Sequence, residues 1–340
     1  MKPSYIIIAV LSLVTPILMG QMLGHIELGM VASLGGLALM NEVYENSGPW
    51  QTFVNLEYAI IFSTAAFMCG IAIAGTSLFS LVMLPLVIFI VSTIGELNKR
   101  FIKNAARFIV FLIIGYHFEA TRDTFHILSY NFLIGTLWTS LVLLLMKTLA
   151  KPGAASAPLP KKYTAKQYLN HWIKSLARFQ GWQFPLRISC CIAAAQIIRY
   201  FVPGHHSYWI LLTIALVTQH SIDHQAERIR NRGLGTLIGV CISFFLVYFS
   251  IPIYLLILVV AVLASLRVLF RETNYLLYAG VMTPLVIILL DFGKLSSITL
   301  LLDRLVATLI GCAISFVFSF LIWRKFLRQS NSEASVSSRG

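Results

Sequence analysis

Long runs of apolar residues, separated by short polar segments, recur along nearly the whole chain. A run of roughly 20 apolar residues is long enough for a helix to cross the hydrocarbon core of a bilayer. The pattern therefore predicts an all-α integral membrane protein. Hydropathy and loop charge together predict about twelve membrane-spanning helices, at residues 5–22, 27–41, 55–73, 77–95, 105–119, 126–146, 184–202, 206–220, 233–250, 252–270, 274–291 and 296–323. The first run follows a single lysine and lacks a small-residue cleavage signal, so we interpret it as a retained span.

The predicted spans form two sets of six, and composition marks the boundary between them. Residues 1–146 form the first predicted module, residues 183–325 the second, and the Ser-rich residues 326–340 a tail predicted to be disordered. Residues 147–182 form a predicted cytoplasmic linker, in which apolar side chains recur at helical spacing among basic ones after Thr164. This pattern predicts either a basic amphipathic helix on the cytoplasmic leaflet or a solvated connector that packs on the helix bundle.

The second half of the chain contains an internal repeat. Residues 232–239 read Arg-Gly-Leu-Gly-Thr-Leu-Ile-Gly, and residues 304–311 read Arg-Leu-Val-Ala-Thr-Leu-Ile-Gly. The two copies lie three predicted spans apart, so they run in opposite directions through the bilayer, which predicts a three-helix inverted repeat. The first half keeps only Gly135 and Thr136 of this pattern, and Phe132 stands where the arginine is expected. We therefore interpret the first module as degenerate.

Composition and charge argue against several classes of function. The sequence is 58% hydrophobic and 11% charged, and its formal net charge is +13. Because Lys and Arg concentrate in alternate loops, the charge is typical of positive-inside orientation, with both termini cytoplasmic, and does not indicate a nucleic-acid partner. The five cysteines lack metal-ligand spacing and are interpreted as packing residues. Without a zinc motif, a phosphate-binding Gly-rich loop or a nucleophile elbow, the sequence predicts no enzymatic activity, metal or cofactor.

Arg304 is the strongest candidate for a functional residue. It lies about eight residues into the last predicted span, roughly 12 Å along a helix. A charge at that depth costs about 2.5–3.5 kcal/mol on insertion scales, so it should face a partner or a water-filled cavity. Asp303 is the neighbouring candidate for coupling, although adjacent helical residues point about 100° apart. The sequence leaves two interpretations open, an anion pathway lined by Arg304 or a structural bond to another span.

Other candidates lie at the ends of predicted spans. Arg228 and Arg232 precede the ninth span, where either positive-inside orientation or anion binding explains them. Tyr208 and Trp209 lie at the outer edge of the eighth span, as interface anchors or as a surface on which a substrate stacks.

The runs at residues 208–213, 228–239 and 304–311 resemble the fusaric acid resistance protein-like family, which overlaps the aromatic acid exporters. The resemblance places Arg228, Arg232, Thr236, Arg304 and Thr308 on the family's motif positions. It implies an inner-membrane efflux transporter of small organic anions, with aromatic carboxylic acids or related toxic compounds as candidates. The alternatives are a passive organic-anion channel and a noncatalytic membrane assembly subunit. Expected partners are the anion, the lipid bilayer, and either a second copy of the chain or accessory efflux subunits.

Overall fold

The computed structural model describes residues 3–44, 49–75, 78–97, 99–118, 121–149, 170, 172–173, 180–201, 208–221, 224–249, 251–290 and 298–323. Within these ranges, all regular secondary structure is helical. Twelve α-helices can be numbered in the described ranges: α1 Pro3–Met22, α2 Ile26–Leu39, α3 Pro49–Ile73, α4 Leu78–Gly95, α5 Lys99–His117, α6 Arg122–Leu149, α7 Gln180–Phe201, α8 Tyr208–Val217, α9 Gln225–Tyr248, α10 Ile253–Phe270, α11 Tyr275–Leu290 and α12 Ile298–Ile314. A short 3₁₀ helix, Met40–Tyr44, continues α2, and a π-helix, Ser315–Ile322, continues α12.

The helices are apolar enough for a membrane protein. Among the described residues, eight helices have the length and hydropathy to cross a bilayer, while α8 and α11 are apolar but shorter. Large apolar side chains are exposed along these helices, as expected for surfaces that face lipid. The all-α membrane fold class is thus confirmed, whereas crossing by all twelve helices stays a prediction. The predicted tail and almost all of the predicted amphipathic segment lie outside the described residues.

Several helices begin before the corresponding predicted spans, and charged side chains near the start of α5 meet protein partners. Helix α9 begins at Gln225, where residue 233 was predicted, and α5 begins at Lys99, where residue 105 was predicted. In α5, the guanidinium of Arg107 donates a hydrogen bond to the buried carboxylate of Glu42, whose Oε1 also lies 2.8 Å from Nζ of Lys103. The helices thus extend beyond the predicted apolar spans at their starts, and the boundaries of the spans in the membrane stay predictions.

The same pairs of helices pack together in both halves of the chain. In the first half, α2 packs on α6 and α3 packs on α5, with α3 and α6 also in contact. In the second half, α8 packs on α12 and α9 packs on α11, with α9 and α12 in contact. Each helix of a first-half pair corresponds to the helix numbered six higher in the second half, so α2 and α6 correspond to α8 and α12.

Small residues allow these pairs to approach closely. A Cβ added at Gly239 would lie 2.5 Å from Cβ of Thr283 in α11, and one at Gly311 would lie 2.8 Å from Cβ of Thr213 in α8. In the first half, Gly135 meets the backbone of Ala32 in the same way. The glycine of the first repeat copy, in α9, therefore packs on α11, and the glycine of the second copy, in α12, packs on α8. Small residues allow such close helix contacts in membranes.

Polar contacts connect the two halves at both ends of the bundle. The hydroxyl of Tyr116 in α5 accepts hydrogen bonds from the amide of Gln196, at 3.1 Å, and from the guanidinium of Arg199, both in α7. At the opposite end, Nε2 of His220 lies 2.6 Å from Oε1 of Glu96, just beyond α4. Helix α8 lies between these contacts and packs on α5 as well as on α12.

Candidate functional site

Arg304 lies in the core of the second half. Its side chain is fully buried in α12, and its guanidinium carbon lies 3.7 Å from the ring centroid of Trp209 at the start of α8. Trp209 is also fully buried. A guanidinium stacked on an indole face gains a cation–π attraction of roughly 2 kcal/mol when both groups are desolvated. The stacking fixes the plane of the guanidinium.

A line of buried polar side chains runs along the interface of α8, α9 and α12. Its members are nearly or fully buried, and several of their polar atoms lack a hydrogen-bond partner among the described residues. These atoms are Nε of Arg232, Oγ1 of Thr236, Oγ1 of Thr213, Nε1 of Trp209 and Oγ of Ser315. An unsatisfied buried polar group costs about 1–3 kcal/mol, and such clusters mark places where water or a ligand supplies the missing bonds.

Cys312 connects the two arginines of this line. Its thiol lies within electrostatic range of both Arg232 and Arg304 and 3.7 Å from the carbonyl oxygen of Ile229 in α9. Arg232 of α9 and Arg304 of α12 are thus both buried in helices that pack together.

Arg228 occupies a different environment from Arg232 and Arg304. Its Nε donates a 3.0 Å hydrogen bond to the carbonyl of Leu216, and its guanidinium carbon lies 4.4 Å from the ring centroid of Tyr275. Arg187 of α7 donates to the carbonyl of His220 at 2.9 Å, and also to that of Gln219. These cations stabilise the negative end of the short helix α8. A role of Arg228 in substrate binding stays a prediction.

The first half contributes an aromatic side chain beside the Arg304 site. The ring of His117, at the end of α5, lies 3.9 Å from the ring centroid of Tyr208, which in turn lies 4.6 Å from the ring of Trp209. The sequence analysis missed this contribution because His117 and Tyr208 are far apart along the chain. It also missed Thr213, Arg187 and Cys312, since no local motif distinguishes them.

Of the remaining predicted site residues, Thr308 is buried and Asp303 is exposed. Thr308 is fully buried, and its hydroxyl donates a 2.9 Å hydrogen bond to the carbonyl of Arg304 one turn earlier. The side chain of Asp303 is exposed, whereas that of Arg304 is buried, so adjacent residues face different surroundings. Within the described ranges, no three side chains of His, Cys, Asp or Glu come together as metal ligands.

Comparison with known proteins gives a family match for the part of the chain that contains Trp209, Arg232 and Arg304. Residues 190–318 match the family described as fusaric acid resistance protein-like, which confirms the resemblance predicted from the sequence. The chain is 30% identical over 139 residues to the uncharacterized protein YhfK of Escherichia coli, a match that covers 40% of this chain and 20% of YhfK. It is 31% identical over 139 residues to the inner membrane protein YccS of the same organism, covering 41% of this chain and 19% of YccS. A Haemophilus influenzae protein of similar coverage is 30% identical. The matches span only about a fifth of each relative, and no solved structure matches the chain.

Proposed function

On the premise that residues 190–318 form a fusaric acid resistance protein-like domain, we propose that the protein exports small organic anions, including aromatic carboxylates, across a bacterial inner membrane. The observation that carries this proposal is the buried guanidinium of Arg304, stacked on Trp209 within the line of unsatisfied polar groups. A guanidinium offers five donors in a fork that matches a carboxylate. The indole and the nearby rings of Tyr208 and His117 offer apolar surface to an aromatic ring.

The architecture that supports this proposal is a pair of six-span modules with cytoplasmic termini. The repeated helix pairing favours two modules, and the name of the relative YccS favours the inner membrane. In this arrangement Arg304 lies toward the outer side and Arg232 toward the cytoplasmic side of the same interface. Arg228, Thr236 and Thr308 line or support this path, and Asp303 remains the candidate for coupling. A second copy of the chain or accessory efflux subunits are the expected protein partners.

The test is carboxylate flux by purified protein in liposomes. Saturable benzoate flux that depends on an imposed gradient of a coupling ion is the expected result. Flux that continues without any coupling gradient would instead assign the passive channel. A well-folded protein that moves no carboxylate would favour the assembly subunit.

Arg304 variants test the residue that carries the proposal. Arg304→Lys keeps the charge but loses the bidentate fork, so we expect flux to fall about tenfold, and Arg304→Gln to lower it further. Arg230→Gln, at an exposed position of α9, is the matched control and should keep full flux. Folded yield is measured by size-exclusion chromatography beside flux. Full flux from well-folded Arg304→Gln protein would remove Arg304 from the site.

A further inference from the structure

The π-helix at the end of α12 meets the first turn of α9 through three buried polar side chains. Nε2 of Gln225 donates to the carbonyl of Ser315 at 3.4 Å, and Oγ of Ser319 donates to Oε1 of Gln225 at 3.2 Å. All three side chains are fully buried. Oγ of Ser315 has no hydrogen-bond partner among the described residues. A chain that spans a membrane thus keeps a polar cluster where apolar side chains would pack at lower cost.

The backbone geometry at this cluster is unusual in two respects. The π-helix widens the helix over Ser315–Ile322, and such segments are frequently found at functional sites. Helix α9 begins at Gln225, so its first backbone N–H groups and the positive end of its dipole lie at the same place. Glu227, the acidic residue of that first turn, is exposed and does not fill the position.

We propose that Gln225, Ser315 and Ser319 form a second, uncharged binding station for the carboxylate group of the transported anion. The hydroxyl of Ser315, the amide of Gln225 and the start of α9 supply donors to carboxylate oxygens. This inference rests on the proposed function and adds a substrate site at the end of the bundle where α9 begins, the cytoplasmic end in the predicted topology. Nothing in the repeated motif marks these three residues.

The spacing of the two stations explains why both are useful. Ser315 lies eleven residues beyond Arg304, which is roughly 16 Å along the helix, with Cys312 between them. A small carboxylate therefore binds one station at a time. Passage requires sites that hold an anion strongly enough to admit it and weakly enough to release it, and a neutral station binds less tightly than a guanidinium.

Equilibrium binding of radiolabelled benzoate to the purified protein tests the station. We expect two sites in the wild type and, in Ser315→Ala protein, about tenfold weaker binding at one of them while the other is unchanged. Removing an unpartnered hydroxyl leaves folding intact or slightly improved, so the loss is not attributable to unfolding. Ser243→Ala is the matched control, because that buried hydroxyl already bonds to the carbonyl of Gly239 in its own helix at 2.9 Å. Gln225→Leu should weaken the same site as Ser315→Ala, and Arg304→Gln the other.

The outcomes separate this inference from the proposed function. Two-site binding in a wild-type protein that shows no benzoate flux would overturn the proposed function and keep the station. Flux and binding that are both unchanged in well-folded Ser315→Ala and Gln225→Leu proteins would overturn the station and keep the transporter. A wild-type protein with no saturable benzoate binding would overturn both.

Discussion

At the scale of single residues, the protein stabilises buried charge in two different ways. Arg304 is stacked on the face of Trp209, so an aromatic ring contributes to the stabilisation of its charge. Arg107 instead donates to Glu42, so its charge is neutralised inside the first half. The first arrangement suits binding of an external anion, and the second suits a permanent structural contact.

If Trp209 contributes an aromatic surface to the site, its loss should affect an aromatic carboxylate more than an aliphatic one. Trp209→Leu removes the aromatic face, so we expect the half-saturating concentration of benzoate to rise about tenfold and that of succinate to rise less. Both are measured as initial fluxes in liposomes. Trp50→Leu, which alters an exposed tryptophan of α3, controls for general effects and should change neither value. Equal changes for both substrates would mean that Trp209 acts only through packing.

The ion pair of Glu42 and Arg107 predicts a loss of stability. Glu42→Gln leaves the guanidinium buried without its counter-charge, which costs about 3–5 kcal/mol when one partner of a buried pair is removed. We therefore expect a clearly lower melting temperature in detergent. The double variant Glu42→Leu with Arg107→Met removes both charges and should recover most of the loss. An unchanged melting temperature in Glu42→Gln protein would show that Arg107 is stabilised by other groups.

At the scale of helices, two glycines of α9 allow the effect of close helix packing to be distinguished from the effect of glycine on backbone flexibility. Helix α9 contains Gly239, where an added Cβ would lie 2.6 Å from the carbonyl oxygen of Gly280, and Gly233, where nothing lies within 4 Å. Gly239→Ala should therefore push α9 from α11 and lower the melting temperature. Gly233→Ala should leave it unchanged or raise it, because alanine favours the helix by about 0.5–1 kcal/mol. Equal effects of the two substitutions would contradict the close contact between α9 and α11.

The helices and their close contacts were largely predictable, but their partners were not. Apolar runs predicted the helices, and the glycines of the repeat predicted close approach. The sequence could not show that Gly239 packs on Thr283 of α11 while Gly311 packs on Thr213 of α8, since partner choice depends on tertiary arrangement. The same limit hid the polar contribution of Thr213. The π-helix was also unpredictable, because its residues read as an ordinary apolar span.

At the scale of the whole molecule, the degenerate first half has a defined place. It lacks the repeated arginine, yet its helices pair as those of the second half do, because pairing depends on apolar faces and small residues. Its α5 brings His117 to Tyr208 and Tyr116 to Arg199, so the first half contacts the helix that carries Trp209. Sequence motifs could not predict this role, since it exists only where the two halves meet.

A labelling experiment can decide on which side of the membrane each loop of the second half lies, and so whether α8 crosses the membrane. Helix α8 has only ten residues, about 15 Å of helix, which is half the thickness of the hydrocarbon core. Its ends are nevertheless bound by protein, through Tyr208 at one end and through Arg187 at the other. We therefore expect it to complete a crossing within the bundle without spanning lipid by itself.

Single cysteines introduced at Lys161, Ser221 and Lys294 test this order in a protein without its five native cysteines, which are all free thiols. If α7 and α8 both cross, an impermeant thiol reagent reaches Lys161→Cys and Ser221→Cys from the same side, and Lys294→Cys from the other. If α8 turns back within the membrane, Ser221→Cys labels from the side opposite to Lys161→Cys. Lys161→Cys and Lys294→Cys label from opposite sides only if α8 crosses, because five crossings then separate them; if α8 turns back, four crossings remain and both label from one side. Labelling of those two from one side would contradict the twelve-span arrangement, and with it the placement of Arg304 and Arg232 at opposite depths of one pathway.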